Sequence, residues 1–301
     1  MLSISKIAHL TGHAGAVYTL AKGIAPNSVL SGSGDKMLAQ WDLTSVVADK
    51  FAVKMPAIVY SALVIQEKNL LLIGTAAGSL HVVDLSNKTE IKYLTLNYGG
   101  IFTIVHVKSS NSILLSTVNG FLIQLDASSF DLKRELHVSK LKLRSIQTDE
   151  INDRLYVCDG TGELHVFQLS TLTLIKSFQS HTQSCNVVKL HPNGKYILTG
   201  GKDAHLNMFD INTFELVKSI PAHNFAIYDI CFLEGTNYFA TASRDKTIKL
   251  WDAESVEFLV RINKETHQSH THSVNTLYWD KECKRLVSAG DDRAIMIWEI
   301  K

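Results

Sequence analysis

A repeat unit of about 42 residues runs through the chain, a length typical of repeat architectures. An aromatic or aliphatic residue followed by Asp, Glu or Gln recurs at seven places. These pairs are Trp41-Asp42, Val83-Asp84, Leu125-Asp126, Phe167-Gln168, Phe209-Asp210, Trp251-Asp252 and Trp298-Glu299. The first six are evenly spaced, and only the last interval is longer. A constant period of this length indicates one supersecondary unit that is repeated along the chain.

Each repeat unit contains four short runs in which polar and apolar residues alternate. In the first unit these runs cover residues 16–21, 28–31, 36–41 and 46–52, and turn residues such as Pro26-Asn27 separate them. Alternation with period two is typical of half-buried strands, and the turn residues predict hairpins. No long window has helical periodicity, so the chain is predicted to be all-β.

The chain resembles the WD40-repeat proteins over essentially its whole length. The residues that carry the resemblance are Gly12-His13, Asp35, Trp41-Asp42, His181, Asp203, His223, Asp245, Trp251-Asp252, His270, Asp292 and Trp298. The resemblance implies a single domain over residues 1–301, a seven-bladed β-propeller of four-stranded antiparallel blades. The last unit stops after its third strand, so residues 3–11 are expected to close the last blade as its outer strand. An open β-solenoid with a frayed N-terminal arm is the alternative.

The resemblance also implies a buried hydrogen-bonded network of His, Ser or Thr, Asp and Trp in four of the blades. Its expected members are His13, Ser31, Asp35 and Trp41; His181, Thr199 and Asp203; His223, Thr241, Asp245 and Trp251; and His270, Ser288, Asp292 and Trp298. Ser, His and Asp together could suggest a hydrolase triad. Catalysis needs such a group once, whereas this one recurs at the repeat spacing. We therefore expect a structural role, no catalytic residue and no enzymatic activity.

Blades 2 to 4 depart from this pattern. At the position of the network Asp they carry Ala77, Asn119 and Thr161, each followed by glycine. A residue followed by Gly favours a tight hairpin through backbone geometry alone. Apolar packing is expected to replace the polar network in these blades.

The resemblance places a partner-binding face at the end of the blades where the chain enters each first strand, near the central channel. The repeat register assigns to it Tyr18, Tyr60, Phe102, Lys142, Arg144, Asn186, Lys202, Tyr228, Arg244, Asn275 and Asp291. Aromatic residues and Arg are enriched in binding hot spots. The cluster of Lys142, Arg144, Lys202 and Arg244 favours a partner with an acidic or phosphorylated residue. The alternative is that the aromatic residues only pack on neighbouring strands.

The charge balance and the cysteines of the chain limit its expected partners and location. The chain has 30 basic and 29 acidic residues, which argues against nucleic acid and against an anionic membrane as partners. The four cysteines show no metal-ligand spacing, and four free thiols would suit a reducing, cytoplasmic location. Neither a signal peptide nor a membrane span is predicted.

No cofactor and no metal site are expected from the sequence. His267, His270 and His272 crowd the loop that lengthens the last interval. However, His270 is assigned to the network, and the other two have no evident third ligand.

The function most consistent with the sequence is a non-enzymatic protein–protein interaction scaffold that binds a peptide or protein over the channel face. The propeller would act as a monomer or as a subunit of a larger complex. The alternatives are a small-molecule- or nucleic-acid-binding propeller, or an enzyme subunit.

Overall fold

The computed structural model describes residues 2–301. Over this range the chain forms seven four-stranded antiparallel sheets, and the expected seven-bladed β-propeller is confirmed. Helix is confined to a few residues between strands.

The strands are short, mostly six or seven residues. The first nine are β1 (Ile4–Leu10), β2 (Val17–Lys22), β3 (Ser28–Ser33), β4 (Met37–Asp42), β5 (Val47–Lys54), β6 (Val59–Ile65), β7 (Leu70–Thr75), β8 (Ser79–Asp84) and β9 (Thr89–Thr95). The next nine are β10 (Ile101–Val107), β11 (Ser112–Thr117), β12 (Phe121–Asp126), β13 (Leu132–His137), β14 (Leu143–Asp149), β15 (Arg154–Asp159), β16 (Glu163–Gln168), β17 (Thr173–Gln179) and β18 (Cys185–Leu190). The last ten are β19 (Tyr196–Gly201), β20 (His205–Asp210), β21 (Leu216–Pro221), β22 (Ile227–Leu233), β23 (Tyr238–Ser243), β24 (Ile248–Asp252), β25 (Phe258–Ile262), β26 (Val274–Asp280), β27 (Arg285–Gly290) and β28 (Ile295–Ile300).

Blades 1 to 6 are each built from four consecutive strands, beginning with β2 to β5 and ending with β22 to β25. Blade 7 has the order β1-β28-β27-β26. In it the first strand of the chain pairs antiparallel with the last, from Ile4 opposite Ile300 to Leu10 opposite Ile295. The predicted closure of the last blade by the N-terminal strand is confirmed.

The strands group into two compact units. One unit comprises the chain up to Val64 together with Phe225–Lys301. Trp251 and Trp298 are its largest fully buried side chains. All six residues of β3 are buried, whereas most of β5 is exposed, so strands such as β3 supply the apolar surface that is removed from water at a gain of about 25 cal/mol per Å².

The other unit comprises Ile65–Asn224. Leu114, Leu122, Leu155 and Val157 belong to one of its apolar clusters, and all four are fully buried. Leu and Val occupy successive inward positions of adjacent strands, so the aliphatic side chains of neighbouring sheets pack on one another.

The five extra residues of the last interval lie in a loop that contains a short helix, α1 (Lys264–His267). Asn263 caps it, because its side chain accepts a hydrogen bond from the Thr266 backbone N–H at 3.0 Å. A single 3₁₀ turn covers Gln66–Lys68. In the described part of the chain, neither helix is long or apolar enough to cross a bilayer.

The expectation of four free thiols is wrong. Cys158 and Cys185 form a disulfide, with their Cα atoms 5.2 Å apart, whereas Cys231 and Cys283 remain thiols. The paired cysteines lie 27 residues apart on strands of two adjacent sheets. Because this pairing depends on how the two sheets pack, spacing along the chain could not reveal it.

Candidate partner-binding face

Six residues assigned to the face lie at a β-bulge in the first strand of their blade. The pairing of the first strand with the second skips one residue in blades 1, 3, 4, 5, 6 and 7. The skipped residues are Tyr18, Phe102, Arg144, Asn186, Tyr228 and Asn275. A β-bulge leaves its extra residue out of the ladder and re-aims the side chain, and bulges are frequent beside functional sites.

A backbone hydrogen bond connects this strand to the turn that carries Lys202, Arg244 and Asp291. The amide of Lys202 donates to the Ser184 carbonyl at 2.8 Å, and the amide of Arg244 donates to that of Ala226 at 2.9 Å. Asp291 donates in the same way to Ser273. The backbone therefore holds the turn residue beside the start of the first strand in each of these blades.

In the unit that contains both chain ends, Tyr18 and Tyr60 meet edge to face with their ring centroids 5.5 Å apart. Burial, together with the charge of Asp291 and the neighbouring Tyr60, raises the pKa of Tyr18. The side-chain amide of Asn275 donates to Asp291 at 2.8 Å and to the Val17 carbonyl at 3.0 Å. Tyr18 keeps 39% of its surface exposed, so this aromatic pair can contact a partner.

In the other unit, the Arg144 guanidinium lies over the Phe102 ring, 5.1 Å from its centroid. Burial lowers the pKa of Lys142, and the charges of Arg144 and Lys202 lower it further. Lys142 thus lies close enough to Arg144 and Lys202 for their charges to repel, and Arg144 lies over the aromatic ring. Such a group favours an anionic partner and is destabilised by its own charge.

The remaining assigned residues differ in exposure. Lys202 and Arg244 are exposed, and Tyr228 is half-buried. Asn186 is only 8% exposed, and its side-chain oxygen accepts a hydrogen bond from Ser184 at 3.0 Å. Asn186 therefore contributes to the shape of the site more than to its accessible surface.

Two apolar residues beside the assigned positions were missed. Leu141 and Phe225 keep 49% and 57% of their surface exposed. They occupy the same position in blades 4 and 6, just before the first strand. Exposure of a large apolar side chain at a repeated loop position could have drawn attention to them, because such residues serve as apolar anchors in interfaces.

The residues assigned to the polar networks of blades 1 and 7 are in contact. In blade 1, His13 Nδ1 lies 3.0 Å from Asp35 and Nε2 lies 2.7 Å from Ser31 Oγ, which also accepts from the Trp41 indole at 2.7 Å. Blade 7 repeats this with His270, Asp292, Ser288 and Trp298 at 2.8–2.9 Å.

Blades 5 and 6 have their own versions of these contacts. In blade 5, His181 lies 2.9 Å from Asp203 and 2.8 Å from Thr199. In blade 6, the Trp251 indole donates to Thr241 at 2.9 Å. Asp245 accepts from the Thr247 amide at 3.0 Å, and His223 is buried.

Blades 2 to 4 also contain local polar contacts at the turn between their second and third strands, which the sequence analysis did not include. The last residue of the second strand supplies a buried oxygen that accepts from an amide four residues on. The pairs are Thr75 with Ser79 (3.2 Å), Thr117 with Phe121 (3.0 Å) and Asp159 with Glu163 (2.9 Å). These three acceptors occupy the same position in successive repeat units, so the repeat contained the signal.

Blade 2 contains a Ser–His–Glu chain that the sequence analysis did not identify. Ser79 Oγ lies 3.0 Å from His81 Nε2, and His81 Nδ1 lies 2.6 Å from Glu90. This connectivity matches a hydrolase triad. However, Ser79 is only 3% exposed and its hydroxyl also bonds Thr75 at 2.6 Å, so the arrangement satisfies buried polar groups.

Seven four-stranded sheets and buried His–Asp pairs at repeat spacing define a repeat propeller whose blades carry polar networks. A model of the WD domain, G-beta repeat family matches residues 4–42, 172–210, 214–252 and 263–299, which is just over half of the sequence. The chain therefore belongs to the WD40 family. The matched segments are the blades with the His–Asp pairs, and residues 43–171, with blades 2 and 3 and most of blade 4, lie outside them.

Two relatives show how far the similarity extends. Echinoderm microtubule-associated protein-like elp-1 of Caenorhabditis elegans is 26% identical over 200 residues, which is 64% of this chain and 22% of that protein. Periodic tryptophan protein 2 homolog of Mus musculus is 22% identical over 108 residues, 36% of this chain and 12% of that protein. The matches thus span less than a quarter of either relative. WD40 propellers generally mediate protein–protein interaction or scaffolding and are typically non-catalytic.

Proposed function

We propose that this chain is a non-enzymatic scaffold that binds a peptide or protein partner through the channel-face residues. The observation that carries the proposal is the repeated β-bulge, which takes Tyr18, Phe102, Arg144 and their equivalents out of the ladder. The bulge recurs in six blades and so belongs to the architecture, but the side chain that it re-aims changes from blade to blade, as a binding surface requires.

The partner that we propose has an apolar anchor and an acidic or phosphorylated residue. The exposed Leu141, in the same unit as Arg144, offers apolar surface for the anchor. The group of Arg144, Lys142 and Lys202 offers the cations. A carboxylate or phosphate would relieve their mutual repulsion and form charge-assisted hydrogen bonds with Arg144.

A cytoplasmic location belongs to the proposal as well. It no longer rests on free thiols, because two of the four cysteines are paired. It rests on the nematode relative, which by name is a microtubule-associated-protein-like protein.

The proposal is tested by charge reversal on the face. Arg144→Glu with Arg244→Glu should abolish the capture of proteins that the intact tagged chain retains from a lysate, as quantified by mass spectrometry. The melting temperature should be unchanged. The matched control is Lys22→Glu with Lys50→Glu, which reverses two exposed charges elsewhere and should keep the same proteins bound.

Three results would count against this function. Capture that survives the double reversal would remove the basic residues from the site. Loss of capture in the control would show a non-specific charge effect. Capture that is sensitive to nuclease and falls steeply with salt would indicate nucleic acid as the partner.

A further inference from the structure

Blade 4 holds a cluster of metal-ligating side chains in which Asp159 pairs with Leu143, the residue before Arg144 of the partner-binding face. Asp159 ends β15, and Glu163 and His165 lie at the start of β16, across one tight turn. One ligand atom from each residue lies within 4.8 Å of the other two. Among residues 2–301 this is the group of such side chains with metal-binding proximity.

The carboxylate of Asp159 has one more oxygen atom than the hydroxyl groups that cap the equivalent turns of blades 2 and 3. Its Oδ1 accepts hydrogen bonds from the amides of Thr161 and Glu163, both at 2.9 Å. Thr75 and Thr117 occupy the same position in blades 2 and 3 and cap the turn with one hydroxyl oxygen. Oδ2 of Asp159 accepts from Thr161 Oγ1 at 2.8 Å, and the carboxylate brings into a site that is 1% exposed a charge that a hydroxyl at this position would not.

His165 points its buried Nε2 at Oδ2 of Asp159. The side chain is 5% exposed, and its Nε2 is buried with no hydrogen-bond partner. Nε2 lies 3.5 Å from Asp159 Oδ2. This exceeds the usual N–H···O range of about 2.7–3.2 Å. It matches the roughly 3.4 Å that separates two ligands of a tetrahedral zinc ion with bonds of about 2.0–2.1 Å.

Outer contacts hold both groups in place. Ser139 Oγ donates to Asp159 Oδ2 at 2.6 Å. Ser177 Oγ lies 2.7 Å from His165 Nδ1, so that Nδ1–H can donate to it and leave the Nε2 lone pair for a metal. Metal-bound histidines generally donate their second N–H in this way, which fixes the tautomer and the ring orientation.

An Asp at the position of Asp159 together with a His at the position of His165 occurs in one repeat unit, that of blade 4. In the other blades, the position of Asp159 is taken by Ser33, Thr75, Thr117, Gly201, Ser243 and Gly290. His recurs at the position of His165 only in blade 2, as His81, where Thr75 stands in place of the aspartate. A feature that the architecture needed would recur, as the His–Asp pairs do.

We propose that Asp159, Glu163 and His165 bind one zinc ion, with the fourth position open to water. Two carboxylate oxygens and one imidazole nitrogen suit zinc, whereas Mg²⁺ and Ca²⁺ prefer oxygen ligands only. Glu163 is half-buried, and its flexible side chain would turn inward to supply the third ligand. The ion joins the turn to β16 within blade 4.

The test is a calorimetric titration of zinc chloride into the full chain after treatment with EDTA and desalting. One zinc ion should bind per chain and raise the melting temperature. Glu163→Gln should weaken binding by about tenfold or more. Its melting temperature without metal should stay unchanged, because the turn uses the backbone of Glu163. His165→Asn should abolish binding, and Mg²⁺ should not compete.

Two controls separate this site from other histidines. His81→Asn alters the equivalent buried histidine of blade 2 and should bind zinc like the wild type. His267→Gln with His272→Gln removes two histidines of the loop that contains α1 and should also bind normally. The proposal is overturned if the wild type shows no saturable binding, if Glu163→Gln binds as tightly as the wild type, or if the loop variant loses the ion.

Discussion

Blades 1, 5, 6 and 7 have an Asp followed by a non-glycine residue in the turn between their second and third strands, whereas blades 2, 3 and 4 have glycine at the second of these positions. In the first group the Asp accepts from the amide two residues on. The pairs are Asp35 with Met37 (2.9 Å), Asp203 with His205 (3.2 Å), Asp245 with Thr247 (3.0 Å) and Asp292 with Ala294 (3.3 Å).

The residue after each of these Asp residues has a left-handed backbone although it is not glycine. The φ angles are 69° at Lys36, 67° at Ala204, 72° at Lys246 and 67° at Arg293. In blades 2 to 4 the same position holds Gly78, Gly120 and Gly162, with φ of 82°, 82° and 95°. All seven turns thus share one conformation, and the two groups differ in what stabilises it.

The difference shows that a local backbone cost can be met in two ways. A carboxylate that bonds the turn amides can hold an ordinary residue in the left-handed region, where it costs about 1–2 kcal/mol. Glycine has no Cβ, so it adopts the left-handed backbone without this strain and needs no carboxylate in the preceding residue. Three substitutions test how the two groups of blades stabilise this turn.

The largest effect is expected from Gly120→Ala in blade 3. The new Cβ would collide with the Ser139 carbonyl oxygen, in a residue whose φ is 82°. Strain and clash together should lower the free energy of unfolding by about 3 kcal/mol, measured by urea denaturation. Lys36→Gly in blade 1 is the control and should change stability by about 1 kcal/mol or less, because glycine relieves strain but adds chain entropy. A wild-type midpoint for Gly120→Ala would refute the role given to glycine.

Asp203→Asn in blade 5 should lower the free energy of unfolding by about 2 kcal/mol near neutral pH. Burial raises the pKa of Asp203, but His181 and the amides of Thr182 and His205 lower it by more, to about 2. Because the folded pKa lies below the unfolded value of about 3.9, the ionised carboxyl stabilises the fold above that pH. This contribution is lost as the pH falls towards 2, so the difference between wild type and variant should shrink there.

The measurement is a series of urea midpoints across this pH range. Asn119→Asp in blade 3 is the matched control, since that turn has Asn97 in place of the network His. It should show no comparable gain in stability with rising pH. A difference between wild type and Asp203→Asn that stays constant with pH would contradict the assigned ionisation.

The smallest effect is expected from Trp41→Phe, which gives blade 1 the aromatic residue that blade 5 has as Phe209. The change removes the indole N–H that donates to Ser31 at 2.7 Å. The loss should be about 1 kcal/mol. In a Ser31→Ala background the same change should cost clearly less, and equal costs in both backgrounds would show that the hydrogen bond contributes nothing.

The repeat, the strand alternation and the residues that the resemblance assigned to the blades could be predicted without the structure. A constant period fixes which residues are equivalent, so placing Asp35 in a turn places Asp203, Asp245 and Asp292 as well. It also determined that Ala77, Asn119 and Thr161 precede glycines in turns, because only glycine adopts φ > 0 freely.

Bulges, the disulfide and contacts between strands could be seen only in the folded chain, because they depend on neighbouring strands. Tyr18 and Arg144 belong to alternating strands, and nothing in that alternation shows that they are bulged, because a bulge is a relation between two strands. The pairing of Cys158 with Cys185 and the approach of His165 to Asp159 likewise depend on distances across a sheet or between sheets. Local pattern sets the period and the faces of a strand, whereas packing sets which polar groups must satisfy one another.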